Sequence, residues 1–183
     1  MPKISAKNSE HELLAALKRG EESAYTEVLN LHKQQIAKTV IGMLGAVPEA
    51  EDVGQEVFIR FFKSIENFKG DSKIATYLTR IAINLSLNAL EKRKRKWKVF
   101  YDGDYLSEKL KASSNDPHEL DERLELLTRA TLKLESKYRE VVVLRASQDY
   151  SFKEIAEIIQ VPIGTVLTRY SRAQKKLIKM LNS

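Results

Sequence analysis

Apolar residues recur every three or four positions along most of this chain, which is the spacing of α-helices that bury one face. Ser9 and Glu12 have the spacing of a capping box at the start of a first helix, Gly20 suits its end, and a second helix is predicted over 21–44. The apolar face of the first helix consists of Leu13, Leu14 and Leu17. No stretch of useful length alternates like a β-strand, so the pattern predicts an all-α fold.

Two further helices are predicted in the N-terminal half. Pro48 suits the first turn of the third helix. After a turn at 67–71, Asp71 or Ser72 can cap a fourth helix that reaches the basic run at 92–96. The fourth helix has two opposite apolar faces, so we expect it to pack on two sides. Between those faces runs a polar seam formed by Lys73, Tyr77, Arg80, Asn84 and Asn88.

The polar seam has two interpretations. Its aromatic, amide and cationic side chains are suited to stacking on unpaired bases and to hydrogen bonding with their free edges. Alternatively, the seam faces solvent or is satisfied inside a core. The spacing alone favours the second interpretation, and the basic run at 92–96 suits either the helix C-terminus or backbone phosphates.

Acidic residues outnumber basic ones between the two helical halves of the chain. Within 99–123, Pro117 and the Ser-Ser-Asn run at 113–115 also interrupt any helical pattern. This composition predicts a flexible acidic linker. The predicted architecture is therefore two small helical domains, at 9–98 and 124–183, joined by that linker.

The C-terminal domain contains a helix-turn-helix pattern. Ser151 and Glu154 form a capping box at the start of a short helix, a break follows at 160–162, and a longer helix is predicted over 163–181. One face of the longer helix is apolar. The other face carries Thr165, Thr168, Arg172, Lys175, Lys176 and Lys179, with Arg169 at its edge.

A helix with one apolar and one basic face is suited to DNA, because the apolar face packs on the preceding helices while the basic face meets the duplex. Base contacts usually come from the N-terminal half of such a helix. We therefore assign base contacts to Thr165, Thr168, Arg169 and Arg172, and phosphate contacts to Lys175, Lys176 and Lys179. The alternative is a surface helix with a solvated basic face. The capped short helix and the tight break before it favour the helix-turn-helix.

The third helix carries a mixed face opposite its apolar stripe. This face contains Asp52, Gln55, Glu56, Ile59 and Lys63. Ile59 is an apolar residue among charges, but one exposed isoleucine is ordinary on a protein surface. The pattern by itself therefore does not predict a partner for this face.

Composition narrows the classes of function. The net charge of +6 suits a polyanionic partner such as nucleic acid, and the absence of cysteine excludes disulfides and thiolate metal sites. The apolar stretch at 74–90 is too short and too polar to span a membrane, and the N-terminus lacks the apolar core of a signal peptide. We therefore expect a soluble cytoplasmic protein without permanent membrane association.

The chain carries no pattern that points to catalysis. His11, His32 and His118 lie in different segments, and neither a Gly-rich phosphate loop nor a metal-ligand spacing is present. We therefore expect no enzymatic activity, no metal and no other cofactor.

Three stretches of the chain resemble the motifs of extracytoplasmic-function (ECF) sigma factors of bacterial RNA polymerase. Residues 50–60, AEDVGQEVFIR, are similar to the family's AED–QEVF motif. Residues 68–84 resemble its second conserved segment, and residues 150–173 resemble its helix-turn-helix signature. The three motifs occur in the family's order, and the resemblance covers nearly the whole chain apart from the acidic middle.

The resemblance implies a role for each motif. The third helix would dock on a coiled coil of the largest polymerase subunit through Asp52, Gln55, Glu56 and Ile59. The N-terminal domain would melt and read the −10 promoter element through Arg60, Lys69, Gly70, Asp71, Lys73, Arg80, Asn84 and Asn88. The last helix would bind the −35 element through Thr165, Thr168, Arg169, Arg172, Lys175 and Lys176.

The resemblance also implies protein partners. The C-terminal domain would contact the flap of the other large polymerase subunit, and the acidic linker would thread toward the active-site cleft and the RNA exit channel. An anti-sigma factor would hold such a protein inactive.

The chain departs from the family's pattern at several positions. Ile74 and Tyr77 stand where the family often has Phe and Trp, Glu135 replaces a usual proline, Gln160 a usual glycine and Leu167 a usual lysine. None of these changes falls on a residue assigned here to docking or to DNA contact.

The main alternative function is a stand-alone helix-turn-helix transcription regulator. Such regulators are usually dimers on palindromic sites, and the chain shows neither a dimerisation helix with heptads nor a ligand domain. A third possibility is an anti-sigma or adaptor protein, which would share polymerase contacts but would not need two basic DNA faces.

Overall fold

The computed structural model describes residues 6–100 and 119–182. Within these ranges the chain forms eight α-helices and a 3-10 turn at Ile65–Asn67. The helices are α1 (Ala6–Lys18), α2 (Glu22–Leu44), α3 (Pro48–Lys63), α4 (Ile74–Phe100), α5 (Glu119–Lys133), α6 (Ser136–Gln148), α7 (Phe152–Ile159) and α8 (Ile163–Leu181). None of these helices has the length and apolar character needed to cross a membrane.

Several helix ends lie where the sequence pattern predicts them. Gly45 follows α2 with a φ of 85°, and Pro48 occupies the first turn of α3. The capping box of α7 is present: the Glu154 N–H donates to Oγ of Ser151 at 3.3 Å, and the Ser151 N–H donates to the Glu154 carboxylate at 2.9 Å. The helix predicted over 163–181 is observed as α8.

Two predicted caps are wrong. Ser9 lies inside α1 and therefore does not cap it. Helix α4 begins after both Asp71 and Ser72, and the N–H of its first residue, Ile74, donates at 2.6 Å to the carboxylate of Glu10 on α1. A carboxylate from another helix thus satisfies one of the N–H groups that a helix N-terminus leaves without a partner, which a local sequence pattern does not reveal.

Both ends of the predicted acidic linker are helical. Helix α4 continues to Phe100 and helix α5 begins at Glu119, so helices enter 99–123 from both sides. The middle of the predicted linker, residues 101–118, lies outside the described residues.

Helices α1–α4, the N-terminal unit, enclose an aromatic cluster. The ring of Tyr77 stacks on Phe68 with centroids 4.8 Å apart, and both rings lie about 6 Å from Phe61, at 6.0 and 6.2 Å respectively. The Tyr77 hydroxyl lies 3.2 Å from Oγ of Ser64. The half-buried Tyr77 therefore packs against the core and does not belong to the polar seam that its spacing suggested.

Helices α5–α8, the C-terminal unit, share an apolar core with the N-terminal unit. Helix α6 packs on α2, and α7 packs on α4, which therefore has neighbours on two sides as its two apolar faces predicted. The buried residues that the C-terminal unit contributes to the shared core are Val141, Val143, Leu144, Ile155, Ile158 and Val166. The sequence left open whether the two units touch, and in the structure they are in apolar contact.

Helices α2 and α6 approach each other closely at Gly42. A Cβ atom at this position would lie 2.8 Å from Cγ1 of Val143, whereas two carbon atoms need about 3.5 Å. Glycine in a helix interior costs about 1 kcal/mol relative to alanine. The absence of a side chain at Gly42 permits the close contact between the two units, at that cost in helix propensity.

A buried arginine joins the two units next to this contact. Arg139 of α6 donates from Nη1 to the carbonyl oxygen of Met43 at 2.6 Å, and from Nη2 to the carbonyl oxygens of Leu132 and Leu134, the latter at 3.0 Å. Burial lowers the pKa of Arg139 to about 10, so the side chain stays charged at neutral pH. The guanidinium therefore binds the C-terminal end of α2, where a helix dipole favours a cation.

A polar cluster bridges the two units on the other side of the shared core. Gln35 of α2 donates to Oγ1 of Thr79 on α4, at 3.3 Å, and to the hydroxyl of Tyr150 in the C-terminal unit. The hydroxyls of Thr79 and Tyr150 lie 3.1 Å apart. Thr79 is buried and the other two residues are half-buried, and each has a hydrogen-bond partner in the interface.

Glu140, the residue after Arg139, is also buried. Its Oε1 accepts a hydrogen bond from Nη1 of Arg169 on α8 at 2.6 Å. Burial raises the pKa of Glu140 to about 7, although the positive charge of Arg169 acts in the opposite direction. Helix α6 thus carries two adjacent buried ionisable side chains: Arg139 binds α2 and α5, and Glu140 binds α8.

The close approach at Gly42 can be tested against Gly54, a helical glycine of α3 with open space around its Cβ position. We expect Gly54→Ala to raise the free energy of unfolding by about 1 kcal/mol through helix propensity. Gly42→Ala should be less stable than Gly54→Ala by at least about 1 kcal/mol, because its methyl group displaces Val143. Urea unfolding measures both values. Equal stabilisation by the two substitutions would contradict the α2–α6 contact.

The buried carboxyl of Glu140 predicts a pH-dependent stability. Because its folded pKa lies above the unfolded value, the folded state binds the proton more tightly, and the free energy of unfolding falls as the pH rises from about 4.5 to about 7. Above about pH 7 the free energy of unfolding is lower by the full amount, on the order of 3 kcal/mol. Glu140→Gln should remove this component, so the variant gains stability relative to the wild type as the pH rises.

Urea unfolding between pH 5 and pH 8 measures this dependence. Glu51→Gln, at an exposed carboxylate of α3, is the matched control and should leave the profile nearly parallel to that of the wild type. Parallel profiles for Glu140→Gln and the wild type would show that Glu140 is not buried as described.

Candidate nucleic-acid and polymerase interfaces

Helix α8 exposes one face because its other face is held in the C-terminal unit. Val166, Ala173 and Leu177 are buried against the preceding helices. The ring of Tyr170 makes an edge contact with Phe152 of α7, with centroids 5.2 Å apart. The two helices of the predicted helix-turn-helix are therefore packed on each other, and the outward side of α8 exposes Arg172, Lys175, Lys176 and Lys179.

The break between α7 and α8 depends on a left-handed residue. Gln160 has φ 55° and ψ 48°, and its N–H donates to the carbonyl oxygen of Ala156. Left-handed backbone favours glycine, which is what the ECF family usually has at this position. Pro162 follows at the start of α8 with φ −57°. The turn therefore forms in this chain without the glycine.

A shallow groove of about 320 Å³ opens beside the N-terminal half of α8. All four residues that the sequence assigned to base contacts line it, namely Thr165, Thr168, Arg169 and Arg172. Lys137 and Tyr138 of α6 form part of the opposite wall. The fold thus brings the predicted base-reading residues together on one concave and basic surface.

The cations of α8 are in different environments. Arg172 and Lys175 are exposed and have no hydrogen-bond or ion-pair partner within 6–100 and 119–182. Nζ of Lys176 lies 3.3 Å from the carboxylate of Glu135, which also pairs with Lys137 at 3.0 Å. Hydrogen bonds from Lys137 and Lys176 lower the pKa of Glu135. Glu135 replaces the usual proline of the family and partly neutralises this end of the basic surface.

The residues predicted for the −10 element lie on three segments. Arg60 is on α3, where its Nε lies 2.7 Å from the carboxylate of Glu56. The exposed members on the segment before α4 are Lys69, Gly70, Asp71 and Lys73, and those on α4 are Asn84 and Asn88. Gly70 has a φ of 77°, which a residue with a side chain rarely adopts.

Arg80 differs from the other residues predicted for the −10 element. It is half-buried, and its Nη2 donates at 2.8 Å to the carbonyl oxygen of Glu157 on α7. Its Nε is buried and has no hydrogen-bond partner among the described residues. Arg80 thus lies at the contact between the two units.

The four predicted docking residues share one side of α3. Asp52 and Gln55 are exposed, Glu56 is half-buried in its pair with Arg60, and Ile59 is 45% exposed. The opposite side of α3 is buried through Val57, Phe58 and Phe61. The arrangement leaves an isolated apolar side chain within a mainly acidic surface.

Sequence reasoning did not find the polar residues that join helices distant in the sequence. Arg139 and Glu140 carried no predicted role, and neither did Glu10 or Gln35. The two charges directly precede the apolar run at 141–144. Charged residues next to a buried apolar run are the sequence signal for such pairs. They become buried together with the run, and a buried charge needs a partner.

Two family models match the chain. A model described as "Sigma-70 region 2" matches residues 28–96, which lie in the N-terminal unit. A model described as "Sigma-70, region 4" matches residues 124–177, which lie in the C-terminal unit. The docking and −10 residues fall within the first match, and the −35 residues fall within the second.

Several relatives match over nearly their whole length. The chain is 35% identical to the ECF RNA polymerase sigma factor SigW of Bacillus subtilis, with 90% of this chain and 92% of the relative covered. It is 29% identical to the RNA polymerase sigma-H factor of Pseudomonas aeruginosa, with 94% and 93% covered. It is 28% identical to the ECF RNA polymerase sigma-E factor of Escherichia coli, with 95% of each chain covered.

Solved structures share the fold. CnrH, solved with the cytosolic domain of CnrY, matches with a TM-score of 0.69 at 21% identity, covering 94% of this chain and 97% of that chain. RpoE of Bartonella quintana, solved with the anti-sigma factor NepR, matches with a TM-score of 0.66 at 22% identity, covering 86% and 96%. With two sigma-70 regions in order and a relative that is 35% identical over 92% of its length, this chain belongs to the ECF family of RNA polymerase sigma factors, which direct transcription initiation.

Proposed function

We propose that this sigma factor uses three separate surfaces: the mixed face of α3 docks on the polymerase, the N-terminal unit binds the −10 element, and α8 binds the −35 element. The observation that carries the proposal is the convergence of the predicted base-reading residues on one groove of α8, whose opposite face is buried. We further propose that the N-terminal domain spans 9–98, the acidic linker 99–123 and the C-terminal domain 124–183.

The −35 surface combines base contacts with phosphate contacts. Arg172 and Thr168 are exposed within the groove and can reach a base edge, where a good bidentate contact contributes about 1–3 kcal/mol of discrimination. Lys175 and Lys176, further along α8, suit phosphates, which position the helix and make binding salt-dependent. Thr165 is half-buried at the start of the groove and Arg169 is paired with Glu140, so neither is as accessible as Arg172.

The −10 surface consists of exposed polar residues that suit a single strand. Asn84 and Asn88 offer amide donors and acceptors to unpaired base edges, and Lys69 and Lys73 offer charge to the backbone. Arg80 can contact DNA at this surface only when its hydrogen bond to the carbonyl oxygen of Glu157 is broken. We therefore propose that the two units separate when promoter DNA is bound.

The docking surface offers one apolar side chain within an acidic setting. Ile59 can bury its side chain against a partner, while Asp52 and Glu56 supply charge and Gln55 supplies hydrogen bonds. Burying a single apolar residue at the centre of a polar patch is a common way to anchor an interface. The family resemblance implies that the partner of this face is the coiled coil of the largest polymerase subunit.

The remaining partners follow from the family resemblance. The proposal includes a contact of the C-terminal domain with the flap of the other large subunit. It also includes an anti-sigma factor, since the similar RpoE of Bartonella quintana was solved with one. The protein is proposed to act in the cytoplasm, without chemistry or a cofactor of its own.

In vitro transcription tests the proposed function. Purified protein is added to a bacterial core polymerase on genomic fragments, and the run-off products are sequenced. We expect discrete start sites that require this protein, preceded by two shared sequence elements. Specific DNA binding by the protein alone, without any stimulation of transcription, would instead favour the stand-alone regulator.

Surface variants separate docking from DNA reading. Arg172→Ala should weaken binding to the −35 element by about 1–3 kcal/mol, or roughly fivefold to 150-fold, and leave core binding intact. Asp52→Lys should weaken core binding, because the substitution reverses a charge on the docking face. Glu51→Lys makes the same charge change at a neighbouring exposed residue and is the matched control.

Core affinity is measured by fluorescence anisotropy, and promoter affinity by the same method with the holoenzyme. Loss of core binding in Arg172→Ala, or equal losses in Asp52→Lys and Glu51→Lys, would show that the surfaces are misassigned.

A further inference from the structure

Two arginines of α8 stand one turn apart in different environments. Arg172 is exposed and has no partner in the described part of the chain. The side chain of Arg169 is only 25% exposed, and its Nη1 donates to Oε1 of Glu140 at 2.6 Å. The outward face of α8 therefore does not present these two guanidinium groups in the same way.

Glu140 holds Arg169 from beneath the recognition helix. The carboxylate belongs to α6, and its side chain is 7% exposed, so it lies too deep to contact DNA. A hydrogen bond between two charged groups is among the strong ones in proteins. If Arg169 swung outward to a base edge, the buried carboxyl of Glu140 would lose its hydrogen-bond donor and its counter-charge, which is unfavourable.

The bond lies at a point where it can fix the rotation of α8. Val166 and Ala173, three residues before and four residues after Arg169, are fully buried. Apolar contacts of this kind hold a helix against its neighbours but are not directional. A hydrogen-bonded ion pair has a direction, so it adds the angular restraint that apolar packing lacks.

We propose that Glu140 and Arg169 form a positioning pair that sets the rotation of α8 on α6, and that Arg169 does not read a base. The pair aligns Thr168 and Arg172 with the −35 element. The inference rests on the proposed binding of −35 DNA by α8, and it reassigns Arg169 from base contact to positioning.

The first test compares base preferences. The affinity of the holoenzyme is measured on a promoter fragment obtained by run-off transcription, with every single base-pair substitution across its −35 element. Arg169→Gln should lower affinity about tenfold on all of these sequences and leave the preference at each position unchanged. Arg172→Gln is the matched control and should flatten the preference at one base pair.

Two further variants separate positioning from base reading. Arg169→Lys should retain most of the affinity, because lysine can pair with Glu140 but cannot make a bidentate contact with a guanine edge. Glu140→Met removes the acceptor at a site that DNA cannot reach. It should reproduce the uniform loss of affinity. The double variant with Arg169→Gln should lose less affinity than the product of the two single fold-losses, because both substitutions remove the same bond.

A measurement without DNA keeps the inference testable if no promoter is found. The chain has no cysteine, so spin labels can be attached through Ala146→Cys on α6 and Ser171→Cys on α8, both exposed positions. The distribution of distances between the labels should broaden in Arg169→Gln and narrow again in Arg169→Lys. Far-ultraviolet circular dichroism confirms that each variant is folded.

The outcomes distinguish this inference from the proposed function. Loss of preference at one base pair in Arg169→Gln and Arg169→Lys, with normal binding by Glu140→Met, would show that Arg169 reads a base. An unchanged label distribution in Arg169→Gln would also overturn the positioning pair. Failure of the wild-type protein to stimulate transcription would overturn the proposed function, and the spin-label result would then decide the pair alone.

Discussion

The packing of α6 against α2 is the constraint on which the rest of the structure depends. The two helices come close because Gly42 has no side chain to oppose Val143. This contact lets Val141, Val143 and Leu144 join the apolar core of the N-terminal unit, so two helical units share one interior. Helix α6 lies within that interior and also supports α8. The recognition helix is thus positioned relative to a helix that is itself fixed by the other unit.

Two neighbouring charges on α6 make this arrangement directional. Arg139 binds the carbonyl end of α2, and Glu140 binds Arg169 of α8. Each charge is buried, so each would be costly without its partner. Apolar packing alone can hold helices together in more than one rotation, whereas these bonds restrict the choice. A buried charge therefore has two effects here, a desolvation cost and a geometric restraint.

The proposed interfaces differ in how accessible the shared core leaves them. Helix α8 keeps its basic face open, and α3 keeps its mixed face open. Helix α4 keeps Asn84 and Asn88 exposed, but its Arg80 donates to the carbonyl oxygen of Glu157 on α7. The same contact that stabilises the two units against each other thus occupies one residue that the proposed −10 surface needs. Polymerase docking and −35 binding require no such rearrangement of the residues assigned to them.

Local periodicity determined most of the secondary structure and most of the exposed faces. The all-α fold, the capping box at Ser151 and the bounds of α8 follow from residues near each other along the chain, and so does the grouping of Thr168 with Arg172. Other features depend on groups that are distant in sequence, so no local pattern could reveal them. Glu10 caps α4 across the N-terminal unit, and Glu140 pairs with Arg169 across the C-terminal unit. Tertiary structure alone decided these, because a polar group that becomes buried takes the partner that folding brings within reach.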